Sequence, residues 1–272
     1  MKWKAFFIFV GLGLIGSVFW FGPVGWAAAA DAPGNPFQNN HLIQVVYNHR
    51  GQELATDLGN VSQIDFEAQD VVLAAPGTVL PEHFDKHTTW QDLRVAVFGF
   101  DEKTYRAWFA TTRATAPRAA PECLLNFING SSDVAEYYRH LHQIRENGSE
   151  NTVTVEAQGP DVTAYLVKLA KQGTEPGTYG GFNKDAKDGE AMLSALSEKG
   201  YVDLYLYDFD KMHLIKNGPS RPDYAARLSL FPDGSTVINA MDESYAKRTG
   251  SWHLLEKCKS LWNRIKKGFA SE

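Results

Sequence analysis

Residues 201–209, YVDLYLYDF, alternate in hydropathy as far as Tyr207. Val202, Leu204 and Leu206 fall on one side of an extended chain; Tyr201, Asp203, Tyr205, Tyr207 and Phe209 fall on the other. A strict period of two is what a strand needs, and a helical stripe cannot reproduce it. A hairpin follows: YAARLSLF (224–231), the turn Pro232-Asp233-Gly234, then STVIN (235–239). The other end of the chain repeats the pattern. LIQVVYN (42–48) places Ile43, Val45 and Tyr47 on one side, His49-Arg50-Gly51 turns, and QELATDLG (52–59) returns. VVLAA (71–75) and LRVAVFGF (93–100) add two strands rich in Val and Phe. A parallel α/β sheet fits poorly, because consecutive strands are joined by tight turns and its crossovers need about a dozen residues. The sequence therefore predicts a mainly β (α+β) domain over residues 41–240. The expected form is an antiparallel β-sandwich or jelly-roll-like fold with several short helices.

Those helices are predicted in the middle of the chain. Asp101 caps a short one with Tyr105, Trp108 and Phe109 on one face, and Leu124, Phe127 and Ile128 repeat the spacing. The strongest spans 132–146, with Ser132 as N-cap, Val134, Tyr137, Tyr138, Leu141 and Ile144 as its stripe, and Gly148 as its stop. TVTVEA (152–157), Gly159-Pro160-Asp161 and VTAYLVKL (162–169) read as a hairpin, although Val162, Tyr165, Leu166 and Leu169 also fit a helix. Asp188 starts a last short helix with Met192, Leu193 and Leu196, ended by Gly200.

Both ends differ from this body. Lys2 and Lys4, the apolar run Ala5 to Phe21, the breakers Pro23 and Gly25, and the small residues Ala27 to Ala30 make residues 1–30 a secretory signal peptide. The competing reading is an uncleaved anchor, since Ala5 to Gly25 is long enough to span a bilayer. Gly11, Gly13 and Gly16 spell a dinucleotide-binding pattern, but inside this targeting segment it has no strand before it and is discarded. Residues 31–40, DAPGNPFQNN, read as an extended leader. Residues 241–272 form a tail. Within it SWHLLEKCKSLWNRIKKGF (251–269) is a basic amphipathic helix bearing Trp252, Trp262, Lys266 and Lys267. Such a helix either contacts a membrane surface or a partner, or docks on its own acidic domain. The whole chain carries −5 at neutral pH, and no nucleic-acid partner is assigned. The chain has two cysteines, Cys123 and Cys258; in an oxidising compartment they could bridge and staple the tail to the body, the alternative being two free thiols.

No nucleophile elbow, zincin helix, phosphate-binding loop or C-x-x-C pair occurs after the signal segment. No catalytic residue, metal or cofactor is assigned. His83 and His87 lack a third ligand, and His140 and His142 face opposite ways on a helix. Asp208 and Asp210, followed by His213, sit where a strand ends and read first as turn chemistry. The face carrying Tyr201, Asp203, Tyr205 and Tyr207 is the candidate ligand site. Aromatic rings stack on sugar faces while a carboxylate accepts hydroxyl hydrogens. The alternative is that helices cover this face and the tyrosines are core.

Three segments together, HLIQVVYNHRGQELATDLG, TWQDLRVAVFGFDEKTYRAWFATT and GYVDLYLYDFDK…DYAARLSLFPDGSTVIN, give a resemblance across residues 41–240. The chain resembles a group of uncharacterised secreted proteins of Gram-negative bacteria, many of which end in a PEP-CTERM-type sorting tail. That tail is absent here: there is no Pro-Glu-Pro signal, apolar helix or final arginine cluster. The resemblance implies an exported, surface or matrix-associated protein and no catalytic residues. Three functions are therefore carried forward. The first is a non-enzymatic surface or extracellular-matrix protein that can self-assemble, with the leader added as a strand to a neighbour's sheet edge. The second is a secreted carbohydrate-binding module using the tyrosine face, with extracellular polysaccharide as partner. The third is a secreted hydrolase acting through Asp203, Asp208 or Asp210.

Overall fold

The alternating segments pair as neighbours in one sheet. The computed structural model describes residues 35–114, 121–144, 151–157, 162–170, 189–210 and 223–241. Its strands are β1 (His41–Asn48), β2 (Gln52–Asn60), β3 (Val71–Ala74), β4 (Leu93–Asp101), β5 (Arg106–Thr111), β6 (Thr152–Glu156), β7 (Ala191–Met192), β8 (Val202–Asp210), β9 (Asp223–Leu230) and β10 (Thr236–Ile238). All pair antiparallel, in the order β3-β10-β9-β8-β5-β4-β1-β2-β6, with β7 added to β4. The strands thus belong to one sheet, where the sequence reading expected a sandwich or jelly roll.

The sheet is curled. Five steps separate β10 from β1 in the strand order, about 24 Å along a flat sheet. Yet Thr236 Oγ1 on β10 donates to Gln44 Oε1 on β1 at 2.7 Å. The bond crosses the concave side. Around it pack Leu42, Val46, Val95, Trp108, Leu206 and Leu228, one set of alternate residues from the central strands. The opposite set faces the convex side, where Ile43, Val45, Phe98, Phe109 and Phe209 form a second core. Burial on both faces explains why β1 and β4 read as nearly continuous apolar runs.

Helix α1 (Pro121–Ile144) covers the convex core, with α2 (Tyr165–Lys168) beside it; α3 (Ala195–Lys199) packs at the concave side. Leu124, Phe127, Ile128, Ser131, Val134, Ala135 and Tyr138 of α1 are buried at three- and four-residue spacing. Each large apolar side chain in that stripe contributes about 1.5–3 kcal/mol. The apolar period runs through residue 132, so Ser132 lies mid-helix rather than at an N-cap; the expected stop, Gly148, lies outside the described residues.

Four local expectations change. Residues 101–109 are a hairpin, not a helix. Asp101 accepts from Lys103 N at 3.0 Å and Thr104 Oγ1 at 2.6 Å, Tyr105 takes φ 56°, and β5 follows. Trp108 and Phe109 then face opposite sides of the sheet. The expected 152–169 hairpin is also replaced. β6 pairs with β2, and residues 165–168 are helical, so the Tyr165/Leu166/Leu169 period prevails over β-branched content. Ala191–Met192 is a short strand, and the helix begins only at Ala195, ending at Gly200 with φ 79°. Finally, residues 35–40 are not an extended leader. Phe37 is buried at φ 59° and its amide donates to Asp57; Asn40 N donates to Phe100 O at 2.7 Å and Val61 N to Asn40 O at 2.8 Å.

Thr56, paired across the sheet with Gln44, has its hydroxyl buried with no partner among the described residues. Thr56→Val keeps the shape and removes that orphan. It is expected to raise stability by about 1 kcal/mol, read as a higher urea midpoint at unchanged slope. A fall in stability would mean that the hydroxyl is hydrogen-bonded.

Candidate functional site

The expected tyrosine face lies on the convex side of β8, and its members have separate fates. Tyr207 is buried against Phe109 and Phe209, and its hydroxyl donates to Arg113 O at 3.1 Å, so its ring face is core. Tyr205 is half-buried at the edge of that core. Tyr201 is half-buried against Phe231, Val237 and Ala240. Asp203 accepts the Ser229 hydroxyl at 2.6 Å from β9.

The sequence reading missed Tyr224. Strict alternation from Ala226 and Leu228 would turn it to the concave side with them. The β8–β9 register slips instead: Leu206 pairs with Ala226, but Tyr207 pairs with Tyr224. Ala225 is the extra residue, and a bulge of this kind re-aims the next side chain. Ala225 packs on the concave core, and Tyr224 emerges on the convex face, 6.0 Å edge-on from Tyr207 and 55% exposed. Partial burial raises the Tyr224 phenol above its ordinary value; Arg227 pulls the other way, and Tyr205 and Asp203 add to the rise. Tyr205, Tyr224, Asp203 and Arg227 share one face of two paired strands, with Tyr205 opposite Arg227 and Asp203 opposite Ser229. Arg227 is fixed there, its guanidinium donating to Ala240 O and its amide to Asn239 Oδ1 at 3.0 Å. Such a face can offer ring stacking beside a carboxylate and a guanidinium, the groups that hold a polyol. The sequence holds no signal for Tyr224, because only the β8–β9 register places Tyr224-Ala225-Ala226 opposite Leu206-Tyr207.

The buried carboxylates are committed elsewhere. Glu53 of β2 is wholly buried and accepts from Tyr138 Oη of α1 at 2.6 Å and from the first two amides of α2, Tyr165 N at 3.2 Å and Leu166 N at 2.6 Å. Burial raises its pKa, with the three donors opposing. Asp57 accepts from Phe37 N, from His41 Nδ1 at 2.7 Å and from Gly59 N at 2.8 Å, which fastens the 35–41 turn. Glu190 accepts from Tyr47 Oη at 2.6 Å and Tyr165 Oη at 2.9 Å.

Asp208 and Asp210 lie at the end of β8, as expected. Asp208 forms a two-pronged ion pair with Arg106 of β5, diagonally across the ladder, and Arg106 sits 5.2 Å over the ring of Trp108, the residue directly opposite Asp208. Burial raises the Asp208 pKa against the pull of Arg106, and Asp210 and Asp223 add to the rise. Among the described residues no three His, Cys, Asp or Glu side chains gather as a metal site, and no helix is long and apolar enough to cross a membrane. Cys123 is in the first turn of α1. Cys258, His213, Trp252, Trp262, Lys266, Lys267, the signal segment and the rest of the tail lie outside the described residues. No family model, curated protein or solved structure matches the chain.

Proposed function

We propose that the chain is an exported, non-enzymatic surface or extracellular-matrix protein that acts by binding polysaccharide on the convex face of β8 and β9. The observation that carries this reading is the bulge at Ala225, which puts an exposed Tyr224 on the same face of the paired strands as Tyr205, Asp203 and Arg227. Rigid paired strands hold these groups in place before any ligand arrives, which lowers the ordering cost of binding. The commitment of Glu53, Asp57 and Glu190 to amides, tyrosines and a histidine supports a binding role over hydrolysis by those carboxylates. Export rests on the signal-like first thirty residues.

Self-assembly is the second mode of the same reading. The strand order ends in β3 and β6, and the ends of a sheet are where a second chain can add. Residues 35–40 are not the donor, because they are bonded to their own domain.

The test is affinity electrophoresis against neutral and acidic soluble polysaccharides. Tyr224→Ala and Tyr205→Ala are each expected to weaken retardation about tenfold, corresponding to about 1.4 kcal/mol per stacked ring. Tyr207→Phe, which changes only a core hydroxyl, is expected to bind as the parent does. Equal binding by all four proteins, or no retardation in any gel, would remove the face from consideration.

A further inference from the structure

Glu190 sits in a seat that other elements build. Tyr47 Oη comes from β1 and Tyr165 Oη from α2, each donating to one oxygen of the carboxylate. Arg94 of β4 brings Nη1 to 3.6 Å from the carboxylate, as an ion pair without a direct hydrogen bond. The two phenol rings are fixed by one another and by Phe98: Tyr47 and Tyr165 lie 5.8 Å apart, and Phe98 stacks on Tyr165 at 5.9 Å. None of these contacts depends on Glu190, so the seat is shaped by its surroundings.

Glu190 itself is carried by a short element. It precedes β7, which contributes two residues to the sheet, Ala191 opposite Val95 and Met192 opposite Arg94. The seat also has unused capacity. Arg94 Nε is buried with no acceptor among the described residues, although a guanidinium matches a carboxylate with two parallel N–H bonds. It differs from the Glu53 site, which holds its carboxylate with amides and a phenol. The Arg94 side chain is 35% exposed against 7% for Glu190, so the seat opens to solvent on the arginine side.

We propose that Tyr47, Tyr165 and Arg94 form a carboxylate receptor that the chain fills with its own Glu190, and that a small external carboxylate can take the same seat. This goes beyond the polysaccharide reading and does not rest on it. Glu190 acts as a tethered ligand that closes the receptor and anchors residues 189–192. An incoming carboxylate that engages Arg94 through two N–H bonds competes with it.

The test is chemical rescue in the full chain. Glu190→Ala is expected to lower Tm, and sodium formate or acetate to restore at least half of the loss saturably, compared with sodium chloride at equal ionic strength. The parent protein, its seat occupied, is expected to respond equally to formate and chloride. Adding Tyr47→Phe to Glu190→Ala is expected to weaken the rescue severalfold. If Glu190→Ala does not stay folded, the readout becomes the fraction refolded from urea in formate against chloride. Formate and chloride acting alike on Glu190→Ala, in Tm or in refolded yield, would overturn the proposal. So would a parent protein that responds as the variant does.

Discussion

Glu53→Ala is expected to cost about 3–5 kcal/mol. One carboxylate on β2 accepts the Tyr138 hydroxyl and two amides of α2, so it ties both convex-side helices to the sheet. Alanine leaves three buried donors without that acceptor and opens a void among aromatic rings. Glu53→Gln keeps one acceptor and adds a donor where only donors converge; about 1–3 kcal/mol is expected. The pH dependence has a definite sign. Burial lifts the folded-state pKa of Glu53 above its ordinary value, so between the two values the folded chain holds a proton that the unfolded chain has released. The stabilisation from that proton is complete below the ordinary value and is lost as pH rises through the raised one. Urea unfolding of parent and Glu53→Gln, between about pH 4 and pH 8, isolates the effect. The stability difference between them should shift against the parent as pH rises; a constant difference would mean that Glu53 titrates normally.

Gly234→Ala should cost about 2–4 kcal/mol, in two separable parts. Gly234 turns the β9–β10 hairpin at φ 82°, a conformation that a side chain penalises by about 1 kcal/mol. A Cβ there would also stand 2.3 Å from Val79 O and 2.9 Å from Val79 N, backbone atoms that no rotamer change can remove. Gly77 provides the control. It has φ 85°, and nothing lies within 4 Å of where its Cβ would be. Gly77→Ala should therefore cost only the conformational part, about 1 kcal/mol. The difference in Tm between the two variants measures the close approach of the hairpin to the Val79 segment. Equal losses would show that the turn can yield.

How much of the candidate face was legible depends on what sets each side chain's direction. Tyr205, Asp203 and Tyr207 share a side because β8 alternates, and alternation is visible in sequence. Whether each is core or surface is decided by what packs on it. Phe109 of β5 and the α1 side chain Phe127 belong to the core that buries Tyr207, while Tyr205 lies at its edge. Tyr224 depends on one inserted residue in a neighbouring strand, and a period count carries no sign of where a ladder slips.

The sequence by itself determined the paired strands β1–β2 and β9–β10 and the central strand β8. Their period and their turn residues point the same way, and each hairpin is closed by contacts a few residues apart. It also carried the stop at Gly200, where only the left-handed conformation was needed. Tertiary structure decided the rest. Residues 101–109 became a hairpin because Trp108 and Phe109 could then fill two different cores at once. Residues 165–168 became helical where Glu53, more than a hundred positions earlier, accepts the first two amides. Phe37 left an apparently polar leader because the convex core had a place for its ring and Asp57 an acceptor for its amide. One curled sheet formed in place of two, as Gln44 and Thr236 meet across the inside. In each case the deciding energy comes from a partner distant in sequence. Local periodicity records which side of a chain is apolar, but not which distant surface will cover it.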